Sequence, residues 1–226
     1  MHKSEAEINW AAIKMVVFDV DGTLYQQSGL RKRMLFKLVT YYIKKPWRLK
    51  ELRLLQSFRK TREEHAGEEV GNLQLDQYKW CAEKERVNLL SVQRIVEKWI
   101  YKAPLECLSQ FRFEGLKELF DLLEAKNIVR AIYSDYPFDE KMRALALPYE
   151  FGVSSVDRDV NCLKPHPKGL QNLLRISGHE VEECVFIGDR LERDGICAKN
   201  AGMPFIIIDP NRKDYFVELK KKISGE

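Results

Sequence analysis

Short apolar runs that end in polar or turn residues occur at four places: Lys14 to Phe18, "IVRAIYS" (128–134), "CVFIGD" (184–189) and "PFIIID" (204–209). Each is rich in β-branched or aromatic residues, so each predicts a strand covered on both faces, as the strands of a parallel sheet are. "EFGVSS" (150–155) is a weaker fifth strand candidate. Helical spacing fills the intervals. Leu116, Leu119, Phe120, Leu122 and Leu123 recur at three and four residues in "EGLKELFDLLEAKN", which stops at Asn127, a residue tolerated at helix C-termini. Segments 138–146, 166–177, 191–201 and 211–222 have the same character. Strand and helix therefore alternate from Phe113 onward, which predicts a doubly wound α/β sheet with right-handed crossovers.

Residues 26 to 112 interrupt that alternation and contain no convincing strand. Leu30, Met34, Leu38 and Tyr42 are spaced by four, and Leu49, Leu52, Leu55 and Phe58 form a second apolar series after the break at Pro46. Further helices fit 74–87 and 91–102. The expected organisation is an α/β core made of residues 1–25 and 111–226, with an all-helical module over 26–110 inserted after the first strand.

Charge separates the two parts. Residues 26–112 hold 19 Lys and Arg against 10 Asp and Glu, a surplus of nine, whereas the whole chain is +4; the remainder is therefore −5. Residues 31–62 alone hold 12 basic residues against one acid, Glu51. The insertion is basic and the core acidic. A hydrophobic share of 45% and a charged share of 32% are ordinary for a globular protein. No apolar run approaches the roughly 18 residues of a membrane-spanning helix. The N-terminus "MHKSEAEINWAAIK" has acidic residues and no apolar run suited to a secretory signal. Five cysteines without a CxxC pair fit buried free thiols in a reducing compartment, so a cytoplasmic protein is expected.

Candidate chemistry sits at the strand ends, where ligands of open α/β sheets bind. Asp19 and Asp21 close the first strand in "VVFDVDGTLY", Ser134 and Asp135 the second, and Asp189 the strand "CVFIG", with Asp194 five residues on. Residues two apart in a strand point the same way, so Asp19 and Asp21 would repel, and adding Asp189 calls for a cation. An all-oxygen set completed by water and a substrate phosphate is what Mg²⁺ prefers. A metal there would let Asp19 attack phosphorus as a nucleophile while Asp21 moves the proton. In "CLKPHP", Lys164 offers an ammonium to the nucleophile and the phosphoryl oxygens, projected from an extended position before Pro165. Ser134 offers a hydroxyl donor, and Gly22 permits close backbone approach to the same phosphate. Each of these short stretches alone is a common turn or helix cap; their order along one sheet edge carries the reading.

The four stretches "DVDGT" (from Asp19), "IYS" (to Ser134), "LKP" (with Lys164) and "IGDRLERD" (Asp189 and Asp194) resemble the four motifs of the haloacid dehalogenase-like (HAD) superfamily. The resemblance implies a Rossmann-like core with a helical cap between the first and second motifs, and Mg²⁺ dependence. It implies a nucleophilic Asp19, an acid/base Asp21, and metal ligation by Asp19, the Asp21 backbone and Asp189, with Asp194 acting through water or on the other ligands. Gly22, Ser134, the amide of Asp135 and Lys164 are the implied phosphate-binding set. Two departures stand out: Asp135 lies where many relatives have Asn, and the first half of the cap is unusually basic and aromatic.

The expected activity is Mg²⁺-dependent hydrolysis of a phosphomonoester, the substrate being a small phosphorylated metabolite or a polyanionic or lipid-like phosphate. Dehalogenase, phosphomutase and phosphonatase chemistry are the enzymatic alternatives. A halide displacement needs neither the metal nor a leaving-group acid, so Asp21 argues against it. The alternative outside catalysis is a protein that binds anions or a membrane surface through helices 31–62, where Tyr41, Tyr42 and Trp47 interleave with Lys and Arg. Nucleic acid ranks last as a partner because no recognised binding motif accompanies the charge. Arg and Lys at 31–33, 59, 60 and 62 are candidate substrate contacts.

Overall fold

A computed structural model describes residues 8–225; the start of the N-terminal stretch discussed above lies outside them. Five strands form one sheet: β1 (Met15–Phe18), β2 (Val129–Ser134), β3 (Phe151–Ser154), β4 (Cys184–Gly188) and β5 (Phe205–Ile207). All neighbours run parallel in the order β3-β2-β1-β4-β5. All five predicted strands are present, including the weak candidate, which takes the sheet edge as β3. Residues alternate between faces along each strand. Val16 and Phe18 join a core with Leu116, Leu119, Phe120 and Phe216, while Met15 and Val17 join another with Tyr133, Leu170, Phe186 and Cys197.

The sheet helices follow the predicted periodicity. The helix over Leu116–Ala125 ends as expected: Asn127 adopts a left-handed φ of 55°, a conformation Asn tolerates just past a helix. In 191–201 the first turn is wide, a π-type turn over Leu191–Gly195, before a regular helix over Ile196–Ala201. The last helix, Tyr215–Ser224, begins later than expected, because the Asp209 side chain accepts from the Asn211 amide (2.9 Å) and holds a turn there.

Between β1 and β2 every regular element is helical. Helix α1 (Gln27–Lys44) is followed by a tight turn at Pro46–Arg48, then α2 (Lys50–Glu64), α3 (Leu73–Glu85) and α4 (Leu89–Val96), which widens into a π-type segment over Glu97–Lys102. Asn72 and Asn88 cap α3 and α4 by accepting from Leu75 N (3.1 Å) and Leu90 N (2.8 Å). Of the apolar series through α2, Leu55 and Phe58 are buried as expected with Leu54 beside them, whereas Leu49, in the turn that follows the break at Pro46, is exposed.

Backbone bonds and shared apolar packing join the insertion to the core. Its two ends pair, Gln26 N donating to Phe111 O (2.8 Å) and Phe113 N to Leu24 O (3.3 Å). Leu30, Met34, Leu54, Leu55 and Trp99 continue the core on the Phe18 face of the sheet. Gly67 N donates to Leu163 O (3.3 Å) and Val70 N to Asn161 O (3.0 Å), tying the stretch between α2 and α3 to the loop that precedes Lys164. All five cysteines are buried free thiols. No described helix is long and apolar enough to cross a membrane.

Candidate active site

The register places Phe18 beside both Ile132 and Ile187, so the ends of β1, β2 and β4 meet at one edge. The ladder extends one residue further: Asp19 N donates to Ile187 O (2.8 Å), and the Asp19 side chain emerges between its neighbours. Lys164 Nζ donates to Asp19 Oδ1 (2.5 Å), Asp194 Oδ1 (2.7 Å) and the Tyr133 carbonyl (3.3 Å), and the residue is only 2% exposed. The peptide linking it to Pro165 is cis. Thr23 Oγ1 donates to Asp19 Oδ2 (3.0 Å), so both oxygens of that carboxylate are oriented.

The wide turn after β4 folds Asp194 back onto the strand end. Asp194 N and Gly195 N both donate to Arg190 O (2.7 and 3.3 Å), and Asp194 Oδ2 accepts from Asp189 N (3.2 Å) and Arg190 N (3.0 Å). A side chain at Gly188 would collide with Asp194. Gly22, at a φ of 107°, lies so close to the Asp189 carboxylate that a Cβ there would overlap it. The close approach expected of Gly22 toward a phosphate is, in this structure, an approach to Asp189.

Carboxylate oxygens of Asp19, Asp189 and Asp194 lie within 4.8 Å of one another, and no other such group occurs among the described residues. Burial pushes the Asp19 carboxyl up well beyond the ordinary range; Lys164 opposes this, while Asp194 and Asp189 add to it. Burial and then Asp194 push Asp189 up to about 6. Burial works against the Lys164 ammonium, yet Asp19 and Asp194 hold it charged well above the usual lysine range. One ammonium among three carboxylates leaves an excess of negative charge, and an all-oxygen set of this kind suits a hard divalent cation such as Mg²⁺.

Asp21 belongs to a different group. The strand alternation that would point it the same way as Asp19 ends at the turn through Gly22. Its carboxylate instead accepts from Lys141 Nζ at both oxygens (2.6 and 2.7 Å) and from the Tyr25 hydroxyl. Burial would raise Asp21, but Lys141 and then Tyr25 outweigh it and hold the carboxyl below its usual range. The side chains thus divide: three carboxylates gather around Lys164, while Asp21, whose backbone is the group expected at the metal, pairs its side chain with Lys141. Lys141 went unrecognised in the sequence. The available signal was a lysine in the first turn of a short helix (Asp139–Leu145), where the macrodipole disfavours a cation.

Ser134 and Asp135 sit at the end of β2. Ser134 Oγ is buried and accepts from Tyr136 N (3.2 Å). The Asp135 carboxylate accepts from Ser155 Oγ (2.6 Å) and Lys164 N (3.0 Å) and so braces the loop that carries Lys164. From the insertion, Arg62 is buried, donates to the Asp135 carbonyl and to Gln77 Oε1, and lies 4.1 Å from the Tyr136 ring centre. Glu63 pairs with Arg190 (3.2 Å) and Arg193, and Arg193 donates to the Lys164 carbonyl.

These groups open into a cavity of about 840 Å³. Asp19, Asp21, Asp135, Lys164, Asp189 and Asp194 line its polar end together with Lys141, whereas Ser134 and Gly22 lie behind the lining. Of the basic residues proposed as substrate contacts, Arg31, Arg59 and Arg62 line the cavity, and Lys32, Arg33 and Lys60 do not.

A family model for haloacid dehalogenase-like hydrolases matches residues 13–202. A search of curated protein sequences finds no match. Among solved structures, the chain is similar to a HAD phosphatase from Thermococcus onnurineus, with a TM-score of 0.63 and 22% identity, over 95% of this chain and 99% of that one. It is also similar to a 2-haloacid dehalogenase from Pseudomonas syringae pv. Tomato DC3000, with a TM-score of 0.61 and 20% identity, over 89% and 88% of the two chains. CbbY from Rhodobacter sphaeroides, solved in complex with phosphate, matches with a TM-score of 0.55 and 18% identity over 86% and 85%. At these identities the likeness is one of fold.

Proposed function

The chain belongs to the haloacid dehalogenase-like hydrolase family, and from that premise we propose that it hydrolyses phosphomonoesters through a phosphoaspartyl intermediate on Asp19, with Mg²⁺ as cofactor. The observation that carries this reading is the pairing of two charge groups at one cavity end: Asp19, Asp189 and Asp194 around Lys164, and Asp21 with Lys141 beside them. Displacing a halide would need the nucleophile but neither a divalent-cation site nor a second carboxylate to move a proton.

Mg²⁺ held by Asp19 and Asp189, with Asp194 behind them, would neutralise the carboxylates and the phosphoryl oxygens. Asp19 attacks phosphorus, the bond to the leaving oxygen breaks, and its electron pair departs with that oxygen. Thr23 and Lys164 orient the attacking carboxylate, and the Lys164 ammonium faces the charge that gathers on the phosphoryl group. In the second half of the reaction, water attacks the phosphorus of the acylphosphate, Asp21 takes its proton, and the P–O bond to Asp19 breaks with its electron pair returning to the carboxylate, which releases phosphate. Lys141 keeps Asp21 ionised, which suits that base role. Donation of a proton from Asp21 to the leaving oxygen requires the Lys141 contact to open first. Lys141 also lines the cavity, where its ammonium can face the departing oxygen. The buried thiols fit a reducing compartment, and we place the enzyme in the cytoplasm.

The test is phosphate release from p-nitrophenyl phosphate. Turnover is expected to vanish in excess chelator, return with Mg²⁺, and fall by at least about 10³-fold in Asp19→Asn. Turnover that survives unchanged in either condition overturns the proposal.

A further inference from the structure

Helix α1 carries two apolar stripes. Leu30, Met34 and Leu38 face inward. Leu35, Phe36, Val39 and Ile43, at spacings of three, four and seven residues, share a second face, and Trp47 follows in the next turn. That face is bare among the described residues: Phe36 is 63% exposed, Ile43 73% and Trp47 74%. A contiguous apolar patch of this kind marks a surface meant for a partner.

The charges around the patch say which partner. Of the 12 basic residues in 31–62, only Lys37, Arg48 and Arg53 form ion pairs among the described residues, with Glu106, Glu51 and Glu85. Lys32, Arg33, Lys44, Lys45 and Lys50, from α1 to the first residue of α2, are exposed and have no carboxylate in ion-pair range among the described residues. A second copy docked face to face would oppose these cations with their own kind. An anionic lipid surface accepts both features, the apolar side chains among its acyl chains and the cations among its headgroups.

The cavity behind α1 points to the same chemistry. Away from the carboxylates it is lined mainly by the inward stripe of α1, by Leu52 and Leu55 of α2, and by Trp99, with the polar side chains of Arg31, Gln56 and Arg59 among them. Hydroxyl-rich substrates would lose hydrogen bonds to water against such walls. Leu35 lines this cavity and is also 60% exposed, so the apolar end of the cavity meets the edge of the bare face.

We propose that the substrate is an amphiphilic phosphomonoester, a phosphate on a long alkyl or acyl chain, taken from an anionic lipid surface on which the outer face of α1 docks. This rests on the phosphatase reading above and names its substrate class. The phosphate meets Asp19 at the sheet edge, and the chain runs along the apolar walls toward Leu35.

Two measurements test it. The full chain is mixed with phosphatidylcholine vesicles, with or without phosphatidylglycerol, and sedimented. Binding is expected only with phosphatidylglycerol present, with release at high salt. A Phe36→Asp, Ile43→Asp double variant is expected to remain in the supernatant, its thermal melt showing that it is folded. In parallel, kcat/KM is measured along a series of n-alkyl phosphates from ethyl to dodecyl, with p-nitrophenyl phosphate as a chain-free reference. Each methylene buried in the cavity is expected to raise kcat/KM about fourfold. A flat series with the reference still hydrolysed overturns the substrate class and leaves the phosphatase intact; no turnover of any phosphate overturns the phosphatase reading, and the substrate class with it. Failure to bind anionic vesicles, or self-association abolished by the same double variant, overturns the lipid docking.

Discussion

Lys164 at the sheet edge is almost fully buried and touches two carboxylates and a carbonyl. Lys44, at the end of α1, is exposed and has no carboxylate in ion-pair range among the described residues. The contrast extends to the regions around them. Where a charge is buried, desolvation makes an unpaired state expensive, so its partners are specified to within a hydrogen bond. Where it is exposed, the fold imposes no partner, and the charge is free to answer to something outside the molecule. Arg62 tests the division: it belongs to the basic insertion by sequence but to the buried class by environment, and it is satisfied as fully as Lys164.

The largest effect should come from Lys164→Met, which strands Asp19 and Asp194 without their shared ammonium. Breaking a buried pair this way costs about 3–5 kcal/mol, measurable by urea unfolding, and phosphate turnover should be lost with it. Lys44→Met should shift stability by no more than about 0.5 kcal/mol; equal losses in the two variants would break the comparison. Arg62→Met comes next. It leaves Gln77 Oε1 and the Asp135 carbonyl without their donor at a cost of about 1–3 kcal/mol, and a loss as small as that of Lys44→Met would show that burial is not what separates the two classes.

Lys141→Met should act mainly through pH. Burial raises the Asp21 carboxyl, while Lys141 and Tyr25 together bring it below its usual range. With its folded value depressed, Asp21 contributes stability above the ordinary carboxylate range and loses it as pH falls through the folded value. Without Lys141 the effect of burial is left with little opposition, so the Asp21 value rises and the acid limb of the kcat profile, which requires ionised Asp21, moves to higher pH. An unmoved limb would separate Asp21 from the proton-transfer role. Glu63→Gln should have the smallest effect of the variants that break a contact. Its bridges to Arg190 and Arg193 are made by a half-exposed carboxylate, so the loss should stay below about 1 kcal/mol and diminish in salt.

Much of the site could be read in advance, because its residues sit where short apolar runs end. Asp19, Ser134 and Asp189 follow three strands that turn out to be neighbours, so strand recognition alone brought them to one edge. Lys141 was harder to read: its position in the first turn of a helix hints at a partner, but that partner, Asp21, lies 120 residues away and nothing local names it. The contacts of the Asp135 side chain were hidden for a related reason: its identity shows a negative charge, but only the neighbouring loops show that it also accepts from Ser155 and the Lys164 amide. On α1 the four-residue series from Leu30 to Tyr42 was visible, while the second stripe became meaningful only once one face was seen to be covered and the other bare.

The sequence by itself determined the order of strands and helices, the helical nature of the insertion and the carboxylates at the strand ends, because these follow from local periodicity and from the covalent placement of residues after apolar runs. Tertiary structure alone decided that Lys164, offered to Asp19 by the sequence, is shared with Asp194 while Asp21 turns to Lys141. It also decided that one stripe of α1 lines a cavity while the other meets solvent. Those outcomes are contacts between residues far apart in the chain, and their geometry is set by how whole elements pack.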